Sequence, residues 1–170
     1  MLCMLMPAAA FGQVTVSTQP GEWTWAGGNT HGSGAVWGTL GTPAAANIPG
    51  DRQNAAQWTD SSGNFWLFGG NGSDSLNNWG YLNDLWEYNL ATNEWEWVSG
   101  SSTINCVAAG CFNPGVYGAQ GTPSAGSIPG SRQDAPTWID SSGNLWLFGG
   151  NGYDSAGTNG NLNDLWRYQP

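Results

Sequence analysis

Asp60-Ser61-Ser62-Gly63-Asn64-Phe65-Trp66-Leu67-Phe68-Gly69-Gly70 returns 80 residues later as Asp140-Ser141-Ser142-Gly143-Asn144-Leu145-Trp146-Leu147-Phe148-Gly149-Gly150. An aspartate at the start and a glycine near the end make Asp60 to Asn64 a tight turn. The four residues that follow are apolar without alternation, which is the pattern of a strand covered on both faces. The double glycine then stops the strand. A strand of this kind needs a sheet on each side, so the fold is read as all-β and built from repeated sheets.

Outward from this core, residues 42–88 and 122–168 align without a gap, and roughly two thirds of the aligned positions are identical. Ile48-Pro49-Gly50, Arg52-Gln53 and Trp58 recur as Ile128-Pro129-Gly130, Arg132-Gln133 and Trp138. Leu82-Asn83-Asp84-Leu85-Trp86 recurs as Leu162-Asn163-Asp164-Leu165-Trp166. Further upstream, Glu22-Trp23-Thr24-Trp25 matches Glu94-Trp95-Glu96-Trp97 at a spacing of 72. The difference of 8 is an insertion in the second copy, and it falls where Cys106 and Cys111 lie.

One unit reads as four strands. Residues 54–59 form the first and 65–68 the second. A polar loop over 71–80 leads to a third strand at 81–89, where Leu82, Trp86 and Tyr88 share a face by the period of two. After the turn at Ala91-Thr92-Asn93 comes a fourth, with Trp95 and Trp97 inward and Glu94 and Glu96 toward water, an alternation that suits an outer edge.

A strand ending in Gly-Gly, then Asn-Asp-Leu-Trp-x-Tyr, then a Trp-bearing strand and Pro-Gly-x-Arg before the next unit resembles the kelch motif, whose blades galactose oxidase also carries. The resemblance covers residues 22–170 and implies kelch-type β-propeller blades, about two four-stranded antiparallel meanders of an incomplete propeller. The spacing departs from the family, since kelch units run near 50 residues. The surplus lies in the Gly/Ala/Pro/Ser/Thr-rich connections, residues 26–50 and 98–130. The expected organisation is a lone outer strand at 22–26, a blade at 51–98, a long loop carrying the cysteine pair at 99–130, and an incomplete blade at 131–170. A closed propeller has about four to eight blades. Further blades are therefore expected from a longer chain or by association, unless residues 22–26 complete the last blade.

The chain has 170 residues, 12 Trp, 27 Gly, 3 Arg, no Lys and a formal net charge of −9. It has no basic surface for nucleic acid or anionic lipid, so neither is an expected partner. Residues 1–12 read as an incomplete secretory signal peptide, apolar and then small but lacking a charged start, and residues 13–21 as a linker. The implied location is secreted or extracytoplasmic. With Cys3 removed in the signal, Cys106 and Cys111 form an even pair across four small residues; a short-loop disulfide and two free thiols are the alternatives.

The residues that bear chemistry are few. His31 stands alone in a Gly-rich connection and has no partner for nucleophilic catalysis. The copper site of galactose oxidase needs two histidines and a tyrosine linked to a cysteine, and no positions here match it. Arg52 and Arg132 recur beside Pro-Gly. They read as ties between adjacent blades through a carboxylate or carbonyl, with anionic-ligand binding at the channel mouth as the alternative. Asp60 and Asp140 open turns, and Asp84 and Asp164 stand at strand starts. Asp74 and Asp154 lie in oxygen-rich loops where local Asx hydrogen bonding competes with calcium binding. Trp37, Trp79, Tyr117 and Tyr153 are candidate aromatic platforms for a ligand. The function read from these features is a non-catalytic extracellular module that binds protein or glycan and needs no cofactor. The alternative is the N-terminal part of a larger propeller enzyme, an oxidase or hydrolase, whose catalytic residues lie outside this chain.

Overall fold

The computed structural model describes residues 20–32 and 35–170. The signal segment expected at 1–12, Cys3 and most of the 13–21 linker lie outside the described residues. Among those described there are strands and turns but no α-helix. The strands in chain order are β1 (Arg52–Gln53), β2 (Ala56–Thr59), β3 (Phe65–Phe68), β4 (Asn71–Ser73), β5 (Trp79–Tyr81), β6 (Leu85–Asn89), β7 (Glu94–Ser99), β8 (Asn105–Val107), β9 (Gly110–Phe112), β10 (Arg132–Gln133), β11 (Thr137–Ile139), β12 (Leu145–Tyr153) and β13 (Asn159–Tyr168).

Repeat 1 forms an antiparallel sheet in the order β2-β3-β6-β7, and β1-β4-β5 forms a small sheet beside it. Repeat 2 forms one sheet in which β12 pairs with β10 and β11 along one edge and with β13 along the other. Apart from β7, which has no counterpart in repeat 2 among the described residues, the two layouts are the same. β3 and β4 are interrupted at Gly69-Gly70, whereas β12 runs through Gly149-Gly150 with a register shift between Phe148 and Gly150. Gly69 and Gly70 have φ of 62° and 93°, and a Cβ on Gly69 would sit 2.7 Å from the Arg132 carbonyl oxygen. Glycine is required there both for backbone conformation and for close approach of the second repeat.

The polar stretch 71–80, expected to be a loop, is the hairpin β4–β5. Its strands pair Asn71 with Tyr81 and Gly72 with Gly80 through backbone groups, so no apolar alternation announces it. Residues 22–26, expected to be a strand, form none.

The core lies between the sheets. Ala56, Trp58, Trp66, Phe68 and Leu85 of repeat 1 pack on Leu145 and Leu147 of repeat 2, with Trp166 and Tyr168 at the margin. Trp66 and Phe68 point to this interface, while Phe65 and Leu67 point to the opposite face. The apolar run is thus covered on both sides. The Trp58 indole N–H donates to the Trp146 carbonyl at 3.0 Å and the Thr137 hydroxyl to the Gln57 carbonyl at 2.8 Å.

On the far face of repeat 1, Trp95 meets Phe65, Trp86 and Tyr88 edge-on or tilted, at centroid distances of 6.1, 6.4 and 5.1 Å. The expected division of β7 into inward tryptophans and watery acids is not observed. Glu94 to Ser99 are all half-buried, and Glu96 lies opposite Glu87 on the face toward repeat 2.

The described parts of the connections also repeat. Val36 bridges Ile48 as Val116 bridges Ile128. Trp37 covers Trp86 at 5.4 Å, and Tyr117 covers Trp166 at 4.9 Å.

Candidate functional site: the aromatic loop end

Each repeat is pinned by one arginine. Arg52 donates from Nη1 and Nη2 to the two Asp84 carboxylate oxygens at 2.8 Å each, from Nε to the Gly50 carbonyl at 3.0 Å, and from Nη1 to the Gly69 carbonyl at 3.1 Å. Arg132 makes the same four bonds to Asp164, Gly130 and Gly149. The Trp86 and Trp166 indoles donate to the same carboxylates at 2.7 and 2.6 Å. Asp84 just precedes β6, whereas Asp164, expected at a strand start, lies inside β13; both carboxylates take side-chain donors.

The arginine side chains therefore tie a repeat to itself, and not, as expected, to its neighbour. The tie between repeats runs through the backbone: Arg132 N–H donates to the Leu82 carbonyl at 3.2 Å, and Gly70 N–H donates to the Arg132 carbonyl at 2.8 Å. Both guanidinium groups are buried. Having spent their donors on the scaffold, they present no face to an anionic ligand.

Electrostatics follow from these partners. Burial works to raise the Asp164 pKa, but hydrogen bonds from Arg132, Tyr117 and Trp166 outweigh it and hold the value at about 2. Burial, and next the bond to Asp164, push the Tyr117 hydroxyl up to about 12.

The carboxylates proposed for calcium are occupied by the protein. Asp74 accepts from the Leu76 and Asn78 backbones at 2.8 Å through Oδ1. Its Oδ2 accepts from the Asn78 side chain at 3.0 Å and the Ile104 backbone at 2.9 Å. Burial would raise its pKa, yet these bonds bring it below the usual carboxylate range. Asp154 closes its turn through Ala156 and Thr158, both at 2.8 Å. The two aspartates organise their turns through these Asx hydrogen bonds. Among the described residues, no group of three or more His, Cys, Asp or Glu side chains gathers. His31 is exposed, near the Thr30 hydroxyl.

Cys106 and Cys111 form a disulfide. They face each other across the hairpin β8–β9, whose turn is Ala108-Ala109. This inserted hairpin is anchored at its base. Asn113 donates to the Asn83 side chain at 3.2 Å and the Thr103 carbonyl at 2.7 Å, and the Ser131 hydroxyl accepts its N–H at 2.8 Å. β9 lies against β5.

The four aromatic platforms separate into two kinds. Trp37 is buried over Trp86. Tyr153 is buried too, stacked on Phe112 of the hairpin with centroids 3.6 Å apart and edge-on to Tyr81 at 5.4 Å. Neither offers a face to solvent, because the insertion and the connection fold over them. Tyr117 is partly exposed, with its hydroxyl on Asp164. Trp79, on β5 beside the hairpin, is 53% exposed.

Trp79 differs from the scaffold aromatics in one respect. Its register position, opposite Ser73, is held in repeat 2 by Asn159 opposite Tyr153. The fold is built equally well without an aromatic there. Tyr81 and Phe112, which brace this end, did not stand out in the sequence. The available signal was that aromatics at 79, 81 and 153 break an otherwise faithful repeat.

No helix among the described residues is long and apolar enough to cross a membrane, and the disulfide is compatible with an extracellular protein. Comparison with protein-family models and with curated proteins gives no match for this chain.

Proposed function

We propose that this chain is a secreted, non-catalytic binding module whose two sheets are successive kelch-type blades and whose ligand, a glycan or a protein, docks at the aromatic loop end around Trp79. The observation that carries the reading is an exposed tryptophan that the scaffold does not require, held beside a disulfide-closed hairpin on paired strands. Aromatic faces of this kind stack on sugar rings and anchor interfaces. A ring held on a strand loses little conformational freedom on binding.

The blade reading is supported by contact between equivalent residues. Asp134 N–H donates to the carbonyl of Asn54, its own counterpart, at 3.0 Å. Contact between equivalent points of the two units fits their arrangement about a common axis. Extracytoplasmic location is supported by the small-residue run at the start of the sequence together with the disulfide.

The test is a panel of soluble polysaccharides and secreted-protein baits, read by quenching of tryptophan fluorescence in the chain and in Trp79→Ala. The reading expects quenching that is lost in Trp79→Ala at unchanged melting temperature. Ligand binding that survives the substitution overturns the site.

A further inference from the structure

The two repeats match in sequence but differ in how they are covered. In repeat 1, the outer edge of β6 carries β7, with Tyr88 opposite Trp95, Glu87 opposite Glu96 and Trp86 opposite Trp97. In repeat 2, β13 pairs with β12, and among the described residues nothing pairs with its other edge. Trp58 and Leu85, 7% and 5% exposed, lie under repeat 2, whereas their counterparts Trp138 and Leu165 are 45% and 54% exposed. Glu22-Trp23-Thr24-Trp25 has the sequence pattern of β7 yet forms no strand, and both of its indoles stand in solvent. A long open edge and an uncovered aromatic face both favour pairing with another chain.

We propose that residues 22–26 of one copy add as the outer strand of β13 in a second copy, joining the chains head to tail. By the register of β6 and β7, Trp23 then faces Tyr168, Thr24 faces Arg167 and Trp25 faces Trp166. The same join lays the open face of repeat 2, with Trp138, Phe148 and Leu165, on the Phe65–Leu67 face of repeat 1 in the neighbouring copy.

Chain order fixes where the second copy sits. β7 belongs to the sheet of repeat 1 and leads into repeat 2, so the strand that precedes a repeat lies in the sheet before it. Residues 22–26 lead into repeat 1. The sheet they complete must therefore lie on the face of repeat 1 opposite its own repeat 2, and a second molecule supplies a repeat 2 there.

Charge agrees with this arrangement. The chain has three basic residues. Two are in salt bridges with Asp84 and Asp164, while Arg167 lies 5.9 Å from the Trp146 ring centroid. In the proposed register Glu22 is a diagonal neighbour of Arg167, an opposite-charge pair. The like-charge pair Glu87–Glu96 of repeat 1 is replaced by Arg167–Thr24. Such a join is heterologous and closes into a ring when its rotation permits.

The inference uses the repeat geometry and not the Trp79 site, so the two fail separately. Its test is sedimentation velocity of the 170-residue chain at high micromolar concentration. A companion experiment mixes two variants in a Cys3→Ser background, one bearing Thr24→Cys and the other Arg167→Cys. Expected are a species larger than the monomer, its loss in Trp23→Ala/Trp25→Ala with the far-ultraviolet spectrum unchanged, and a disulfide-linked dimer from the mixture. A monomer throughout the concentration range overturns the inference. So does a chain bearing both cysteines that cross-links only within itself.

Discussion

Arg52 grips Asp84 with both terminal guanidinium nitrogens at 2.8 Å, and both side chains are largely shielded from solvent. The pair spans from the segment before β2 to the start of β6, and its remaining donors hold Gly50 and Gly69. Removing one member leaves the other charged in the dry interior. Arg52→Ala is expected to cost about 3–5 kcal/mol in urea unfolding. Arg52→Lys recovers little of this, because a single ammonium cannot reproduce the fork. A loss below about 1 kcal/mol contradicts a role in pinning the repeat.

Acid should unfold the protein through carboxylates that the fold keeps ionised. Asp164 titrates at about 2, against an ordinary value of 3.8. Asp60, Asp74 and Asp140 are lowered as well. A folded value below the unfolded one gives stability that is complete above the unfolded pKa and is lost as pH falls through the folded one. Melting temperature should therefore hold steady above pH of about 5 and drop between about 4 and 2. A stability curve that is flat down to pH 2 contradicts this.

Glu87 has the opposite sign. Burial raises its pKa first, then repulsion from Glu96 and Asp60, against the bond from Asn64. A carboxylate with a raised folded pKa loses stability as pH rises through that value. Glu87→Gln keeps the oxygen that Asn64 bonds at 2.8 Å and removes the repulsion. The variant should melt higher than the parent at pH 7 and equally at acid pH. A lower melting temperature at pH 7 would refute the assignment.

The two copies supply a natural experiment at positions 37 and 117. The buried Trp37 indole nitrogen has no hydrogen-bond partner, whereas the hydroxyl of Tyr117 donates to Asp164. Trp37→Tyr should let the new hydroxyl reach Asp84, and should exceed Trp37→Phe in stability by about 1 kcal/mol. Equal stability of the two variants would mean that the connection does not hold its ring over Asp84.

Much of the fold is legible because it is carried by side chains that alternate or recur. Phe65 to Phe68 announce a strand covered on both faces, the copies at an 80-residue spacing announce two equivalent sheets, and Cys106 and Cys111 announce a closed insertion. What escapes is carried by backbone or by distant partners. Asn71 to Ser73 pair through peptide groups over glycines, so their polarity reads as a loop. The burial of Trp37 depends on Trp86, far along the chain, although the shared Val-aromatic-Gly at 36–38 and 116–118 hints at it. Glu22 to Trp25 have the pattern of a strand but form none, and propensity alone does not make one.

The insertion is a local device. Its disulfide closes only a short loop, so replacing both cysteines by serine should cost about 2 kcal/mol or less in global stability. Hydrogen exchange should rise across residues 104–112 and little elsewhere. Exchange that rises equally in both sheets would show that the hairpin supports the whole fold.

Repeat 1 and repeat 2 pack face to opposite face, with Trp58 and Phe68 on Leu145 and Leu147. Nuclear Overhauser contacts in a sample with labelled leucine methyls test this packing most directly. Contacts from the Trp58 and Phe68 rings to the Leu145 and Leu147 methyls are expected, with a Trp58 indole proton slow to exchange. Contacts of those methyls with Phe65 and Leu67 instead, or none across the repeats, would contradict it.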